Sequence, residues 1–112
     1  MHAVQGDGEI SGTAVEMPAE VKVKVNLRDE QPALPMIENG DEVMFVATTS
    51  GGISLEDAIR TAFLELALWI EKKFGLNRFD ALMLCGQVGK IRIGNLWTAA
   101  AKIEKKYLDA LK

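Results

Sequence analysis

The chain has 112 residues, 48% hydrophobic and 26% charged, a length and balance that fit one globular domain and argue against a disordered or fibrous chain. Its 13 Lys and Arg are interleaved with 16 Asp and Glu for a formal net charge of -3, so no broad positive field exists to hold a phosphate backbone, and nucleic acid is not an expected partner. The longest apolar run, around Ala62 to Ile70, is broken by Glu65 and falls well short of the ~20 residues that span a bilayer, so no transmembrane helix is present and no membrane partner is expected.

Residues 2 to 9 combine two glycines with polar groups and have no helical period, which reads as a loop leading into a strand over Ile10 to Glu16. After Pro18, Val21, Val23, Val25 and Leu27 alternate with Lys22, Lys24, Asn26 and Arg28, the clearest strand pattern in the sequence. Residues 29 to 41, with Pro32, Pro35 and Gly40, read as a connection, and Glu42 to Thr49 as a further strand. Ser50, Gly51 and Gly52 break that pattern. Ser54 with Asp57 three residues on resembles an N-cap with a variant capping box, so a helix is expected from Leu55.

Ile59, Phe63, Leu66, Ile70 and Phe74 keep helical spacing, Lys72 and Lys73 suit the negative end of the helix dipole, and Gly75 can supply a left-handed cap. Asn77 with Asp80 repeats the capping arrangement and predicts a short helix ending near Gly86. Lys90 to Leu96 reads as a short strand, and the alanine-rich stretch from Thr98 to Lys112 as a terminal helix. Strands precede helices without βαβ alternation, so the expected class is α+β, a single domain over residues 1–112 with an antiparallel or mixed sheet packed by one long helix and one or two short ones.

Chemistry concentrates in His2, Gln5, Asp7 and Glu9, directly after Met1, with no scaffold on the N-terminal side. That placement suggests a chain that begins inside a larger unit. Gly6 and Gly8 let the backbone bend sharply or approach a ligand, which would aim Asp7 and Glu9; the plainer reading of the same residues is a tight polar turn. Cys85 is the sole cysteine, so no internal disulfide forms. No charged-then-apolar leader opens the chain, and a cytoplasmic location is expected. As a nucleophile Cys85 has no second histidine to activate it, and a buried core thiol is the expected role. Trp69 reads as packing or an interface anchor, and Lys90 with Arg92 as the solvated face of a strand.

The string His2-Ala3-Val4-Gln5-Gly6-Asp7-Gly8-Glu9-Ile10, continuing to Gly12-Thr13-Ala14-Val15-Glu16, closely resembles the signature of the acetamidase/formamidase family. Phe45 to Thr49, Ser54-Leu55-Glu56-Asp57-Ala58, Gly75-Leu76 and Val88-Gly89-Lys90-Ile91-Arg92-Ile93 extend the resemblance to about Gly94. It covers the later, C-terminal part of a family member. Beyond it the family continues with valine, aspartate and proline, where this sequence has Asn95-Leu96-Trp97-Thr98.

The resemblance implies a β-sandwich-like fold and metal-assisted hydrolysis of a small linear amide, of the formamide or acetamide type, to a carboxylate and ammonia. It implies a divalent metal, zinc foremost, since a metal polarises a poor electrophile and generates hydroxide near neutral pH. His2 is then a metal ligand or its direct neighbour, Glu9 a ligand or the general base, and Asp7 and Gln5 orient the site. A catalytic zinc takes three protein ligands and a water; with one histidine and no Cys-x-x-Cys pair, the other ligands are implied to come from the portion of the family absent here. The expected partner is a complementing N-terminal half or further copies in a homo-oligomer. The rival expectation is a non-catalytic fragment acting as a small oligomerising interaction domain.

Overall fold

The structure, a computed structural model, describes residues 1–50 and 53–112. In chain order its elements are β1 (His2–Val4), β2 (Val15–Glu16), β3 (Met36–Glu38), β4 (Glu42–Thr48), α1 (Leu55–Phe74), α2 (Arg78–Val88), β5 (Lys90–Asn95), β6 (Thr98–Glu104) and α3 (Lys105–Asp109). All strand pairs are antiparallel: β1 with β2 in a small ribbon, and β3-β4-β6-β5 in a four-stranded sheet. The α+β class with one long helix and two shorter ones follows the expectation.

The core grows from two alternating strands. Val43, Phe45 and Ala47 of β4 and Ala99, Ala101 and Ile103 of β6 are buried, and the register sets Val43 opposite Ile103, Phe45 opposite Ala101 and Ala47 opposite Ala99. Both strands therefore turn the same face toward α1, whose residues Ala58, Ala62, Leu66 and Ile70 recur every fourth position and are fully buried. α2 adds Ala81 and Cys85 to this core and packs on α1. On the opposite face of the sheet, Lys102 ties its strand to β4 with Nζ at 2.7 Å from Glu42 Oε1.

Helix boundaries follow the capping residues. The Ser54 hydroxyl accepts from the Asp57 amide at 3.3 Å and donates to its carboxylate at 2.8 Å, and the Asn77 side chain accepts from the Asp80 amide at 3.0 Å. Gly75 ends α1 at φ 69°, the left-handed conformation glycine adopts without a Cβ clash. α2 runs past Gly86, its expected end, to Val88, because Gly86 is tolerated inside the helix and Gly89 caps it instead. The break at Ser50 to Gly52 falls partly outside the described residues, at Gly51 and Gly52.

Five sequence expectations are corrected. Thr98 to Glu104 is the central strand β6, not a helix. Alanine favours helices in isolation, but here Ala99 and Ala101 lie between two paired strands and under α1, where small side chains let the layers meet. Only Lys105–Asp109 of that stretch is helical. The strand expected over Ile10 to Glu16 shrinks to Val15–Glu16, because turns bend the chain at Gly8 and Gly12, with φ 84° and 71°. Its partner is His2–Val4, expected as loop.

Within the expected connection over residues 29 to 41, Met36–Glu38 pairs with β4, and Asn39 Oδ1 closes the turn by accepting from the amides of Asp41 and Glu42, both at 2.8 Å. Val21 to Leu27 forms no strand, despite its alternation. No described strand pairs with it, and its apolar positions lie in solvent.

Two glycines in adjacent positions of the fold should respond oppositely to alanine. A Cβ on Gly89 would stand 2.3 Å from the Cys85 carbonyl oxygen and 2.7 Å from Phe63 Cε1, whereas one on Gly86 meets nothing within 4 Å. Denaturant unfolding should find Gly89→Ala destabilised by roughly 1–3 kcal/mol and Gly86→Ala stabilised by up to about 1 kcal/mol.

Candidate functional site

The residues expected to carry chemistry do gather, on the outer edge of β5. Three contacts hold residues 5–8 there. The Gly8 amide donates to the Ile93 carbonyl at 3.2 Å, Gln5 Nε2 donates to the Gly94 carbonyl at 2.8 Å, and Arg92 Nε lies 2.5 Å from Asp7 Oδ1. Gly8 is buried, and a Cβ there would approach Ile10 Cγ2 to 3.1 Å, so the close docking and the positive φ both call for glycine. The pairing of β5 with β6 shifts register between Ile93 and Asn95, an irregularity at Gly94 that coincides with the carbonyl turned to Gln5.

Glu9 follows at φ 41°, the one non-glycine among the described residues with positive φ. Turn hydrogen bonds fix it: its amide donates to the Gly6 carbonyl at 3.1 Å and its carbonyl accepts from the Gly12 amide at 2.8 Å. A non-glycine residue in this region is strained by about 1–3 kcal/mol, so the loop pays backbone strain to hold a carboxylate in that place. The Glu9 side chain is 22% exposed, and its Oε1 stands 3.9 Å from His2 Nδ1.

His2 is held at both ring nitrogens. Nδ1 lies 2.8 Å from Gln5 Oε1, and Nε2 lies 2.8 Å from Glu16 Oε1 across the β1–β2 ribbon, where His2 and Glu16 are register partners. Two acceptors on the two nitrogens suit the imidazolium. The hydrogen bond to Gln5 raises the His2 pKa above its ordinary value; desolvation opposes the shift, and the negative charges of Glu16 and then Glu9 reinforce it.

Sequence reasoning placed His2, Gln5, Asp7 and Glu9 together and the structure does so, but it missed Glu16, Arg92 and the Gly94 carbonyl. Arg92 at 61% exposure is largely the solvated strand residue its alternation with Ile91 and Ile93 predicts, yet it is also the ion-pair partner of Asp7. The signal for Glu16 was available: antiparallel pairing of residues 2–4 with 15–16 would have put it opposite His2. Nothing local in the sequence marks a backbone carbonyl 89 residues from Gln5.

The donor set is of the right kind for a borderline metal ion, an imidazole and carboxylates, with Glu16 positioned as the outer partner that orients a ligating histidine. It is short in number. Among the described residues no cluster of three His, Cys, Asp or Glu side chains could hold a metal ion. A cavity of about 570 Å³ lies elsewhere, lined by Arg28, Glu30, Glu38, Trp69, Lys73 and Lys105. Its charges are mutually paired, Lys105 with Glu38 at 2.8 Å and Lys73 with Glu30 at 3.4 Å, so it carries none of the chemistry expected of residues 2–9. Trp69 forms part of its wall, tilted against Phe45, edge-to-face with Phe74 and donating to Glu30 at 2.9 Å, a packing role as expected. Cys85 is buried against α1, and burial pushes its pKa up to about 11, which leaves little thiolate near neutral pH.

The fold has close counterparts among solved structures. The acetamidase of Yersinia enterocolitica is 39% identical and superimposes with a TM-score of 0.87 over 96% of this chain. What the chain resembles is part of an acetamidase. The acetamidase of Bacillus halodurans is 28% identical with the same TM-score of 0.87 over 98% of the chain. The chain spans about a third of the length of these proteins, 33% and 38%. No family model and no curated protein matches it. The superpositions reach past Gly94, so Asn95 to Trp97, where the signature resemblance ends, does not divert the fold. These residues make the β5–β6 turn, with the Trp97 amide donating to Asn95 Oδ1 at 2.9 Å.

Because its pKa is raised on folding, His2 stabilises the ribbon fully below the unfolded value of about 6.5 and ceases to do so as pH climbs through the folded value. An NMR titration should place the His2 pKa above its ordinary value, and Gln5→Leu should bring it down. Cys85 should resist iodoacetamide at neutral pH in the folded protein and react freely in denaturant.

Proposed function

We propose that this chain supplies part of the active site of a metal-assisted hydrolase that releases ammonia from a small linear amide. The observation that carries the reading is the resemblance to the Yersinia enterocolitica acetamidase, 39% identical over 96% of this chain. At the level of the family, that resemblance supports amidase-type hydrolysis. The short amide as substrate and zinc as the metal are the finer parts of the proposal.

In this reading the imidazole of His2 and the carboxylate of Glu9 would supply two of the metal's ligands. A bound zinc ion would polarise the amide carbonyl and lower the pKa of water. Glu16 keeps Nε2 occupied and so fixes which ring nitrogen faces Glu9. Metal loading must displace the proton that the Gln5 contact favours on His2, so affinity should fall as pH drops through the His2 pKa. If Glu9 serves instead as the base, its carboxylate takes a proton from the attacking water and delivers it to the departing nitrogen. Asp7, held by Arg92, and Gln5, held by the Gly94 carbonyl, set the loop geometry within which either role operates. The missing metal ligand and the walls around the substrate come from a polypeptide equivalent to the two thirds of an acetamidase not matched here, in a complex located in the cytoplasm.

A second reading has its own observation. Phe79, Leu82 and Met83 of α2 and Val21 to Leu27 expose large apolar side chains, as a non-catalytic oligomerising fragment would. Native mass spectrometry separates the two. A complex holding a second, unlike polypeptide and zinc supports the hydrolase; metal-free multiples of the 12.2 kDa chain support the fragment. In a complex that releases ammonia from acetamide, Glu9→Gln should reduce turnover by about 10²–10⁴-fold if Glu9 is the base, with the folding transition unchanged; undiminished turnover removes Glu9 from the mechanism.

A further inference from the structure

Residues 18–34 contribute to none of the turn or sheet backbone hydrogen bonds among the described residues, although Val21 to Leu27 carries the strongest strand pattern in the chain. Val21, Val23, Val25 and Leu27 are 59%, 79%, 88% and 99% exposed. Both ends of the segment are nevertheless tied down. The Met17 amide donates to the Met1 carbonyl at 2.9 Å on one side; on the other, Arg28 approaches Glu38 at 3.8 Å and Glu30 accepts from Trp69. Strung between two anchors outside the core, it contributes to a radius of gyration of 15.5 Å, against about 13 Å for a compact chain of this size.

We infer that residues 19–28 are a docking strand for a second polypeptide, an extended segment that alternates apolar with acidic side chains. Its free backbone groups can form a ladder, and Val21, Val23, Val25 and Leu27 would be covered on one face. Charge decides the occupant. Lys22 and Lys24 make no ion pair among the described residues and give the other face two uncompensated positive charges beside Glu20, while Arg28 at its end approaches Glu38 at 3.8 Å. A second copy fits poorly. Two-fold antiparallel pairing centred on Lys24 sets that lysine against itself, and pairing centred on Val23 sets Lys22 against Lys24, both repulsive across a ladder. Carboxylates at the facing positions remove this repulsion.

Hydrogen exchange on the full chain tests the inference with two nine-residue peptides, one alternating valine with glutamate and the other valine with lysine. The glutamate peptide should slow exchange of the Val21 to Leu27 amides about tenfold or more, and the lysine peptide should not. Lys22→Glu with Lys24→Glu should reverse the preference, and Val23→Pro with Asn26→Pro, which removes donors on both edges of the segment, should abolish protection. None of these substitutions should lower Tm, since the segment packs on nothing. Equal protection by both peptides, protection by neither, or concentration-dependent dimers protected at the same amides would overturn it. The readout is strand pairing rather than turnover, so its failure leaves the hydrolase proposal standing.

Discussion

Everything else in this molecule is arranged around the contact between α1 and the paired strands β4 and β6, and that contact is made of unusually small side chains at one end. Ala58 and Ala62 on the helix and Ala99 and Ala101 on the strand are fully buried, and Ala47 lies beside them. Toward the other end the pairs become large, with Leu66 and Ile70 on the helix and Phe45, Val43 and Ile103 on the sheet. With methyl groups alone between them, the helix and sheet backbones can approach closely, and a single added methylene has nowhere to go. The small end lies next to the β5–β6 turn. It therefore steadies the strand whose Ile93 and Gly94 carbonyls receive the loop of residues 5–8.

What the sequence disclosed depended on where the determining interactions lie. The caps at Ser54, Gly75 and Asn77 act within four residues, and they placed α1 and the start of α2 correctly. Strand β4 was legible because its alternation reflects one buried face. Thr98 to Glu104 misled because alanine's local preference is helical, and only the neighbours on either side and the helix above make a strand the better state. Val21 to Leu27 misled in the opposite sense: the alternation is real, but a strand exists only by hydrogen bonding to another, and none of the described ones is available to it.

The candidate site divides along the same line. His2, Gln5, Asp7 and Glu9 stood out through residue type, the glycines around them and the family signature. Their orientation comes from Glu16, Arg92 and a backbone carbonyl, none of which a local pattern reveals. The geometry stops short of a full metal site. The loop presents an imidazole and a carboxylate 3.9 Å apart with outer partners in place, but no third ligand among the described residues joins them. Under the proposed function these two groups would be one half of a site, preorganised where residues 5–8 dock on the edge of β5.

The docking of residues 5–8 on β5 has a consequence apart from chemistry. β5 is the last strand of its sheet, and an uncovered edge strand offers its amides and carbonyls to any chain that can extend beside it, which is a route to aggregation. Gly8 and Gln5 occupy the Ile93 and Gly94 carbonyls, and Arg92 is neutralised in place by Asp7, so the loop works as an edge guard as well. The opposite border, β3, is only three residues long and follows Pro35 directly, a second means of discouraging growth of the sheet. Proteolytic loss of the first nine residues would therefore do more than remove the candidate ligands: it would bare a ready template for intermolecular sheet, and insolubility would accompany the loss of the site.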